Sequence, residues 1–228
     1  MEVRDAIHER KSIRAFAGIP VSRADIEAIL EAGIAAPSKG NCQPWEFYVL
    51  AGKAKSDLDG MLLKLLKTDL IPSMKLSESG DAKATEAQSR AERRSARNKA
   101  EISGVLAARG LTFDDFMLEG TFSFFNSPTA ILVYVDGAFA KDLTHILSVG
   151  AAVQNMLLAA TGLGLGACWI GGVWRYTKEI NAKLSIPAEK RLMSSIALGY
   201  ADEGSPMVGY KSTRDPISEF VKWIGFEE

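Results

Sequence analysis

Apolar residues recur at regular spacings along the first part of the chain and predict its elements. Residues 3–9 carry apolar side chains at helical spacing, which indicates a short amphipathic helix. A second helix begins at Ser22, because Ser22 and Asp25 form a capping-box pattern ahead of an apolar face. Residues 47–50 are continuously apolar, which predicts a short strand buried on both faces. Residues 58–66 predict a further helix.

The middle of the chain has a different character. Residues 81–99 are rich in Ala, Arg, Lys and Glu and nearly free of large apolar residues, which predicts a helix that is weakly anchored to the core. Glutamates alternate with its arginines, which favours a solvated helix face over a binding patch. Gly110 ends this helix and Thr112 offers a new cap. We therefore predict one domain over residues 1–228, with a helical, lid-like insertion at about 70–120.

Five phenylalanines lie within residues 113–125. Most clusters of this kind belong to a hydrophobic core. A minority form the movable wall of an apolar pocket, and an insertion beside a ligand loop is a suitable place for such a wall. Both interpretations stay open, and Phe124 and Phe125 are the candidates for a substrate pocket.

The second half of the chain alternates strands with helices. Residues 129–135, 165–170 and 192–198 predict strands. Residues 142–161 place apolar side chains over most of a helix's circumference, so this helix is expected at the centre of the fold.

Composition and charge exclude several classes of function. The chain has 27 basic and 28 acidic residues, and a formal charge of -1 argues against a nucleic-acid-binding surface. Two cysteines, Cys42 and Cys168, are too few for a disulfide framework, so a cytoplasmic location is expected. No apolar run approaches the roughly 20 residues that cross a bilayer, so no membrane partner is expected. The chain has only two histidines and no metal-ligand motif, so no metal site is expected.

Residues 10–14 concentrate positive charge and hydrogen-bond donors. Arg10, Lys11 and Arg14 lie within five residues, with Ser12 among them. Most such clusters are solvated basic turns. Alternatively, the two guanidinium groups grip a phosphate while Ser12 supplies a hydroxyl, which would make the segment an anion clamp.

Residues 36–45 form a polar loop between a predicted helix and a predicted strand. Pro37 ends the helix, and Ser38, Asn41 and Gln43 supply hydrogen-bonding groups in a stretch stiffened by two prolines. Such a loop can hold a flat polar ligand. In an ordinary connection, Asn41 and Gln43 would only satisfy nearby backbone groups.

A glycine-rich segment, residues 162–172, offers a second ligand surface. Its glycines lead into a strand, whereas those of a dinucleotide fingerprint follow a strand and open a helix, so a Rossmann site is rejected. Residues 169–172, Trp-Ile-Gly-Gly, let a flat ligand approach backbone N–H groups at a strand end. The apolar tail beyond residue 215 needs a surface to lie on, and a partner subunit is one candidate.

These pieces resemble the FMN-dependent nitroreductase family. The resemblance is carried, in the family's order, by Arg10-Lys-Ser-Ile-Arg14, Ala36-Pro-Ser-Lys-Gly-Asn-Cys-Gln-Pro-Trp45, and Gly162-Leu-Gly-Leu-Gly-Ala-Cys-Trp-Ile-Gly-Gly172 followed by Gly199-Tyr200. It implies an α+β sandwich, with a mainly antiparallel central sheet flanked by helices. It also implies an intertwined homodimer with two FMN molecules in clefts at the interface.

The resemblance assigns roles to particular residues. The phosphate, ribityl chain and pyrimidine edge would be held by Arg10, Lys11, Ser12 and Arg14, with Lys211 and Arg214 reaching the phosphate from the C-terminal side. The other subunit would contribute Pro37, Ser38, Asn41 and Gln43. The isoalloxazine ring would lie along Trp169, Ile170, Gly171 and Gly172.

Two groups would act in catalysis. The backbone N–H of Gly171 would face the flavin N5, and the charge of Arg14 would favour the anionic reduced flavin. Many members of the family carry a glutamate where this chain has Gly171. A backbone donor survives that difference, whereas a carboxylate role in binding nicotinamide does not carry over.

The implied activity is hydride transfer from NADH or NADPH to FMN, and then reduction of a nitroaromatic, a quinone or a similar electron-poor small molecule by a ping-pong mechanism. Other chemistry on the same fold stays open: dehalogenation, enone reduction or fragmentation of the flavin. A non-catalytic flavin-binding protein is the alternative from another class.

Overall fold

The protein is described by a computed structural model over residues 1–68 and 85–226. In this part of the chain, one four-stranded sheet has the order β1-β2-β4-β3 and every neighbouring pair is antiparallel. The strands are β1 (Trp45–Ala51), β2 (Thr129–Asp136), β3 (Gly166–Ile170) and β4 (Lys190–Gly199). The predicted strands and the α+β class are therefore confirmed.

Helices cover both faces of this sheet. Leu58 and Leu62 of one helix pack with Phe122 on one face, and Ile29 and Val153 of two others pack on the opposite face. The helices are α1 (Val3–Glu9), α2 (Arg23–Ile34), α3 (Gly52–Thr68), α4 (Glu86–Ala107), α5 (Phe113–Phe122), α6 (Leu143–Gly162), α7 (Thr177–Leu184) and α8 (Pro206–Gly209).

The position of β1 differs from the expectation. β1 is an edge strand, and Val49 in it is 40% exposed. The prediction that this strand is buried on both faces is wrong. At the edge of the sheet, the helices cover β1 only in part. β2 is the strand that is buried almost throughout, since it lies between β1 and β4.

Helix α6 requires a second correction. Asp142 caps it by accepting a hydrogen bond from the backbone N of Thr144 at 2.8 Å. Among the described residues, this 20-residue helix is long and apolar enough to cross a membrane, so the statement that no apolar run has that length is wrong. Its buried side chains pack against the sheet and α2, as in a core helix, although Leu143 and Leu147 are exposed.

The described part of the predicted insertion comprises α4 and α5. Residues 69–84, including the start of the predicted 81–99 helix, lie outside the described residues. Thr85 caps α4 in a reciprocal capping box with Gln88. No residue of α4 up to Lys99 is buried, as expected, but Ile102 and Leu106 beyond it are fully buried against Met207. That the chain is a single domain with an insertion stays a prediction.

Candidate functional site

The segment that carries Arg10 and Arg14 lies along the free edge of β3. Ser12 forms a parallel bridge with Ala167, and the backbone N of Ile13 donates to the carbonyl of Ala167 at 3.0 Å. Ile13 is buried, and a Cβ on Gly166 would lie 2.8 Å from its side chain. The close approach of Ile13 to a glycine therefore fixes the polar residues on either side of it against the strand.

Arg14 has an unsatisfied donor inside the protein. Its Nη1 makes a long contact of 3.5 Å with the carbonyl of Ser12, and its Nε is buried without a hydrogen-bond partner among the described residues. The guanidinium carbon lies 5.9 Å from the ring centroid of Phe125. A buried unpaired donor costs about 1–3 kcal/mol, so this geometry favours an acceptor supplied from outside the chain.

Positive side chains converge on this position from both ends of the sequence. Burial raises the pKa of the Cys168 thiol, and the nearby positive charges of Arg14 and Arg10 oppose this shift. Burial and Glu101 raise the pKa of Tyr210, and the positive charges of Arg14 and Arg214 oppose this shift.

A cavity of about 460 Å³ lies beside this cluster. Lys11 and Lys211 line it together with Glu9 and Glu203. Within residues 1–68 and 85–226, no ion pair involves any of the five cations Arg10, Lys11, Arg14, Lys211 and Arg214. A chain of nearly balanced charge thus holds a local group of cations whose counter-ions are not carboxylates of the described residues.

The C-terminal segment is fastened to two helices. Lys211 Nζ donates to the carbonyl of His8 at the end of α1. Tyr210 donates its hydroxyl to Glu101 of α4 at 2.9 Å. Asp215 accepts hydrogen bonds from Arg94 and Arg97 of α4. These contacts hold Lys211 against the end of α1, and Arg214, three residues further on, donates its Nη1 to Ser212 Oγ at 2.6 Å.

Two arginines of α4 bind a carboxylate that is distant in sequence. Arg94 and Arg97 lie on the face that the sequence predicts to be solvated, and both also bind Asp215, more than a hundred residues away in sequence. Arg94 also lies over the ring of Phe220, with its guanidinium carbon 4.7 Å from the centroid. The sequence missed this role because nothing near the arginines marks their partner.

The end of β3 presents its residues alternately. Trp169 is partly exposed on the α6 side and its Nε1 donates to Ser194 Oγ, whereas the side chain of Ile170 is buried in the opposite core. A ligand along this strand end therefore meets the backbone of Ile170, not its side chain. A Cβ added to Gly171 would meet nothing within 4 Å, while one on Gly172 would lie 3.0 Å from Thr121.

The polar loop lies at the edge of the sheet opposite β3. Ser38 Oγ accepts from the backbone N of Gln43 at 3.0 Å, and Gln43 Nε2 donates to the carbonyl of Asn41 at 3.3 Å. Asn41 and Gln43 have left-handed backbone angles, with φ of 56° and 46°. The loop leads into β1, three strands from β3, which is a separation of about 14 Å at the usual strand spacing. The structure therefore does not bring Pro37, Ser38, Asn41 and Gln43 to the cations within one chain.

Phe124 and Phe125 are both buried in the core that covers the α3 side of the sheet. They belong to a turn in which Phe124, Phe125 and Asn126 all have left-handed φ, between 51° and 55°. Their assignment to a substrate pocket stays a prediction.

Sequence reasoning missed a buried ion pair beneath this turn. Lys55 Nζ lies 2.6 Å from Asp59 Oδ2, and the side chains are only 6% and 16% exposed. Both residues share the face of α3 that carries Leu58 and Leu62. That shared helical spacing was the one available signal.

Comparison with known proteins places these features in a family. A model of the Nitroreductase family matches residues 7–200. A 4-nitrobenzoate reductase of Nocardioides sp. (strain LMS-CY) is 28% identical over 227 residues, covering 98% of this chain and 91% of that protein. A 4-nitrobenzoate reductase of Pseudomonas putida is 28% identical over 229 residues, covering 97% and 95%.

Solved structures share the fold. The FMN and NADPH-dependent nitroreductase NfnB from Sphigopyxis sp. strain HMH superposes with a TM-score of 0.82 at 24% identity, covering 99% of this chain and 100% of that one. The arrangement of the four strands and their helices is therefore shared with a protein of quite different sequence.

Proposed function

This chain belongs to the nitroreductase family, and we propose that it is an FMN-dependent NAD(P)H oxidoreductase that reduces nitroaromatic or similar electron-poor small molecules. The observation that carries the proposal is the buried Nε of Arg14, which has no partner among the described residues, within a group of cations that form no ion pair with a carboxylate of residues 1–68 or 85–226. Two relatives whose matches cover 98% and 97% of this chain are named for the reduction of 4-nitrobenzoate, which supports a nitroaromatic acceptor.

The residues present fit FMN. The phosphate would be held by the guanidinium groups of Arg10 and Arg214 and by Lys211, since forked donors suit phosphate oxygens. Arg14 would donate its free Nε to the polar edge of the ring system, and its charge would stabilise negative charge there. Gly171 would offer its backbone N–H at the strand end. Bound FMN supplies the hydride-accepting chemistry, and the chain's part is to orient it and set its electrostatic surroundings.

A homodimer completes the site in this proposal. Within one chain the polar loop leads into β1 and the segment with Arg10 and Arg14 lies along β3, three strand spacings or about 14 Å across the sheet, so the loop of one subunit would serve the cations of the other. Apolar side chains left exposed on α1, α6 and the C-terminal segment support such an interface. Donor and acceptor would use the same cleft in turn, which is the basis of a ping-pong mechanism.

Anaerobic titration of the FMN-loaded protein tests the function. The absorbance of oxidised flavin is expected to bleach with NADH or NADPH and to recover when 4-nitrobenzoate is added. Initial rates at several fixed acceptor concentrations are expected to give parallel double-reciprocal lines. Protein that binds no FMN would refute the proposal, and bound FMN that neither nucleotide reduces would favour the non-catalytic alternative.

A further inference from the structure

We propose that Lys55 of α3 is a positioning residue for Arg14, acting through the turn at residues 123–126. Lys55 contacts neither Arg14 nor the predicted cofactor site. The importance of Arg14 for the flavin rests on the function proposed above, whereas the path from Lys55 to Arg14 rests on contacts within the chain.

The first step of the path is the hold of Lys55 on the turn. Its Nζ donates to the carbonyl of Ser123 at 3.1 Å and lies 5.6 Å from the ring centroid of Phe124. Asp59 neutralises the ammonium at 2.6 Å. A buried charge is costly even when paired, and an apolar residue could fill this volume but could not bond a backbone carbonyl. The lysine therefore ties the start of the turn to α3.

The second step is the conformation of the turn itself. Phe124, Phe125 and Asn126 are consecutive non-glycine residues with φ of 51°, 52° and 55°. Each of these conformations is disfavoured and persists only where the surroundings impose it. The bonds from Asn126 N to Ser123 O and from Ser127 N to Phe124 O close the turn at 2.9 and 3.0 Å. Releasing the carbonyl of Ser123 from Lys55 removes one of these constraints.

The third step is the contact between the turn and Arg14. The ring of Phe125 lies 5.9 Å from the guanidinium carbon of Arg14 and 5.6 Å from the ring of Phe116. Gly120 makes room for it, since a Cβ there would lie 2.3 Å from the Phe125 ring. Apart from a long contact with Ser12, no other hydrogen bond of the described residues orients Arg14. The guanidinium is therefore placed chiefly by this ring.

The test replaces the buried pair as a whole, so that no unpaired charge is left behind. The variant is K55M/D59L, and the matched control is K53M/D57N, which removes a 2.7 Å pair of the same spacing on the exposed side of the same helix. The FMN dissociation constant, measured by quenching of flavin fluorescence, is expected to rise about tenfold in K55M/D59L and to change less than about twofold in the control. The flavin midpoint potential is expected to become more negative in K55M/D59L only, because the positive charge of Arg14 is displaced.

A second measurement needs no flavin. In the apoprotein, the shift that R14M causes in the urea midpoint is expected to differ between the wild-type and K55M/D59L backgrounds, since coupled residues are not additive. Additive shifts, or wild-type FMN affinity in K55M/D59L, would overturn the inference. If K55M/D59L does not fold, F125L replaces it and wild-type FMN affinity in F125L overturns the inference. If the wild-type protein binds no FMN, the proposed function fails and this cycle alone decides.

Discussion

At Gly120, the addition of a single methyl group is expected to affect both the stability of the fold and the affinity for FMN. We expect G120A to lower the free energy of unfolding by about 1–3 kcal/mol, because the added Cβ overlaps the Phe125 ring, which is buried and cannot move freely. FMN affinity is expected to fall as well. Urea denaturation and flavin fluorescence measure the two effects.

Gly104 provides the control, since it is also helical but has open space around it. G104A is expected to raise the free energy of unfolding by about 1 kcal/mol, because alanine favours the helix. Equal effects of the two substitutions would show that Gly120 matters only through helix propensity.

Gly171 is the position at which the resemblance to the family implies a glutamate in many members. We expect G171E to change the free energy of unfolding by less than about 0.5 kcal/mol, because φ is -96° and a side chain meets open space. The KM for NADH or NADPH is expected to change while FMN affinity does not. Steady-state kinetics on the FMN-loaded protein measures this.

The neighbouring glycine gives the comparison. G172E is expected to be destabilising, because its Cβ would lie 3.0 Å from Thr121. A loss of FMN affinity in G171E as large as that in G172E would contradict the view that Gly171 faces free space.

Asp59 gives the fold an unusual pH dependence. Burial raises its pKa to about 6, with the hydrogen bond and charge of Lys55 opposing the shift. The unfolded chain releases this proton near pH 4, so between about pH 4 and 6 only the folded protein holds it. The contribution of Asp59 to the free energy of unfolding therefore decreases as pH rises through this window and is constant above it.

K55M/D59L removes this titration, so it is expected to gain stability relative to wild type from about pH 4 to 6 and to hold that difference above pH 7. The control K53M/D57N is expected to show an almost constant difference over this range, because Lys53 lowers the pKa of Asp57 and the resulting contribution is lost only as pH falls below about 4. Urea midpoints measured across this pH range check both, and a flat difference for K55M/D59L would contradict the raised pKa.

At the scale of elements, α4 is joined to the C-terminal segment by Asp215. Hydrogen bonds from Arg97 and Arg94 keep the pKa of Asp215 below its ordinary value, so this link persists into acid solution. D215N is expected to speed amide exchange in α4, because both arginines lose their charged partner. Hydrogen–deuterium exchange measures this.

The control substitution is D114N in α5, which removes the exposed contact between Asp114 and Lys99 of α4 at 2.9 Å. Exposed pairs contribute little, so exchange in α4 is expected to stay near that of the wild type. Equal exchange in D215N and D114N would show that α4 is held by Ile102 and Leu106 alone.

The elements were predictable where local signals agree. Apolar runs bounded by turns predicted β2, β3 and β4, and the caps at Ser22 and Thr112 form as the sequence indicated. Long-range pairings were not predictable. Nothing near Arg94 in sequence identifies Asp215 as its partner, and for the buried Lys55 the only local signal is the helical spacing it shares with Leu58 and Leu62.

The candidate site was predictable in part. The cations at 10–14 were identified by charge and by family resemblance, and those at 211 and 214 by the resemblance alone. In the structure, Lys11 and Lys211 line the same cavity. The separation of the polar loop from them depends on strand order, which residue patterns do not encode.

At the scale of the whole molecule, α6 presents an apolar surface to solvent. Leu143 and Leu147 lie one turn apart and are 67% and 64% exposed. We expect the protein to be a homodimer and L147K to shift it towards monomer, because a charge would be buried at the interface. Light scattering after size-exclusion chromatography measures the change, and FMN retention is expected to fall with it.

L111K is the matched control, since Leu111 is an exposed apolar residue on the turn after α4. It is expected to leave the dimer intact. A fully dimeric L147K protein with normal FMN content would place the interface elsewhere.

Because the polar loop and the cations lie apart within one chain, cofactor binding is expected to depend on the concentration of the protein. If each cleft is built from two subunits, dimerisation and FMN binding are linked equilibria. Dimerisation then raises the affinity for FMN, and bound FMN stabilises the dimer. Dilution would then release flavin, and excess flavin would hold the subunits together. The specific activity of such an enzyme would depend on its own abundance, and its thermal midpoint would rise with protein concentration.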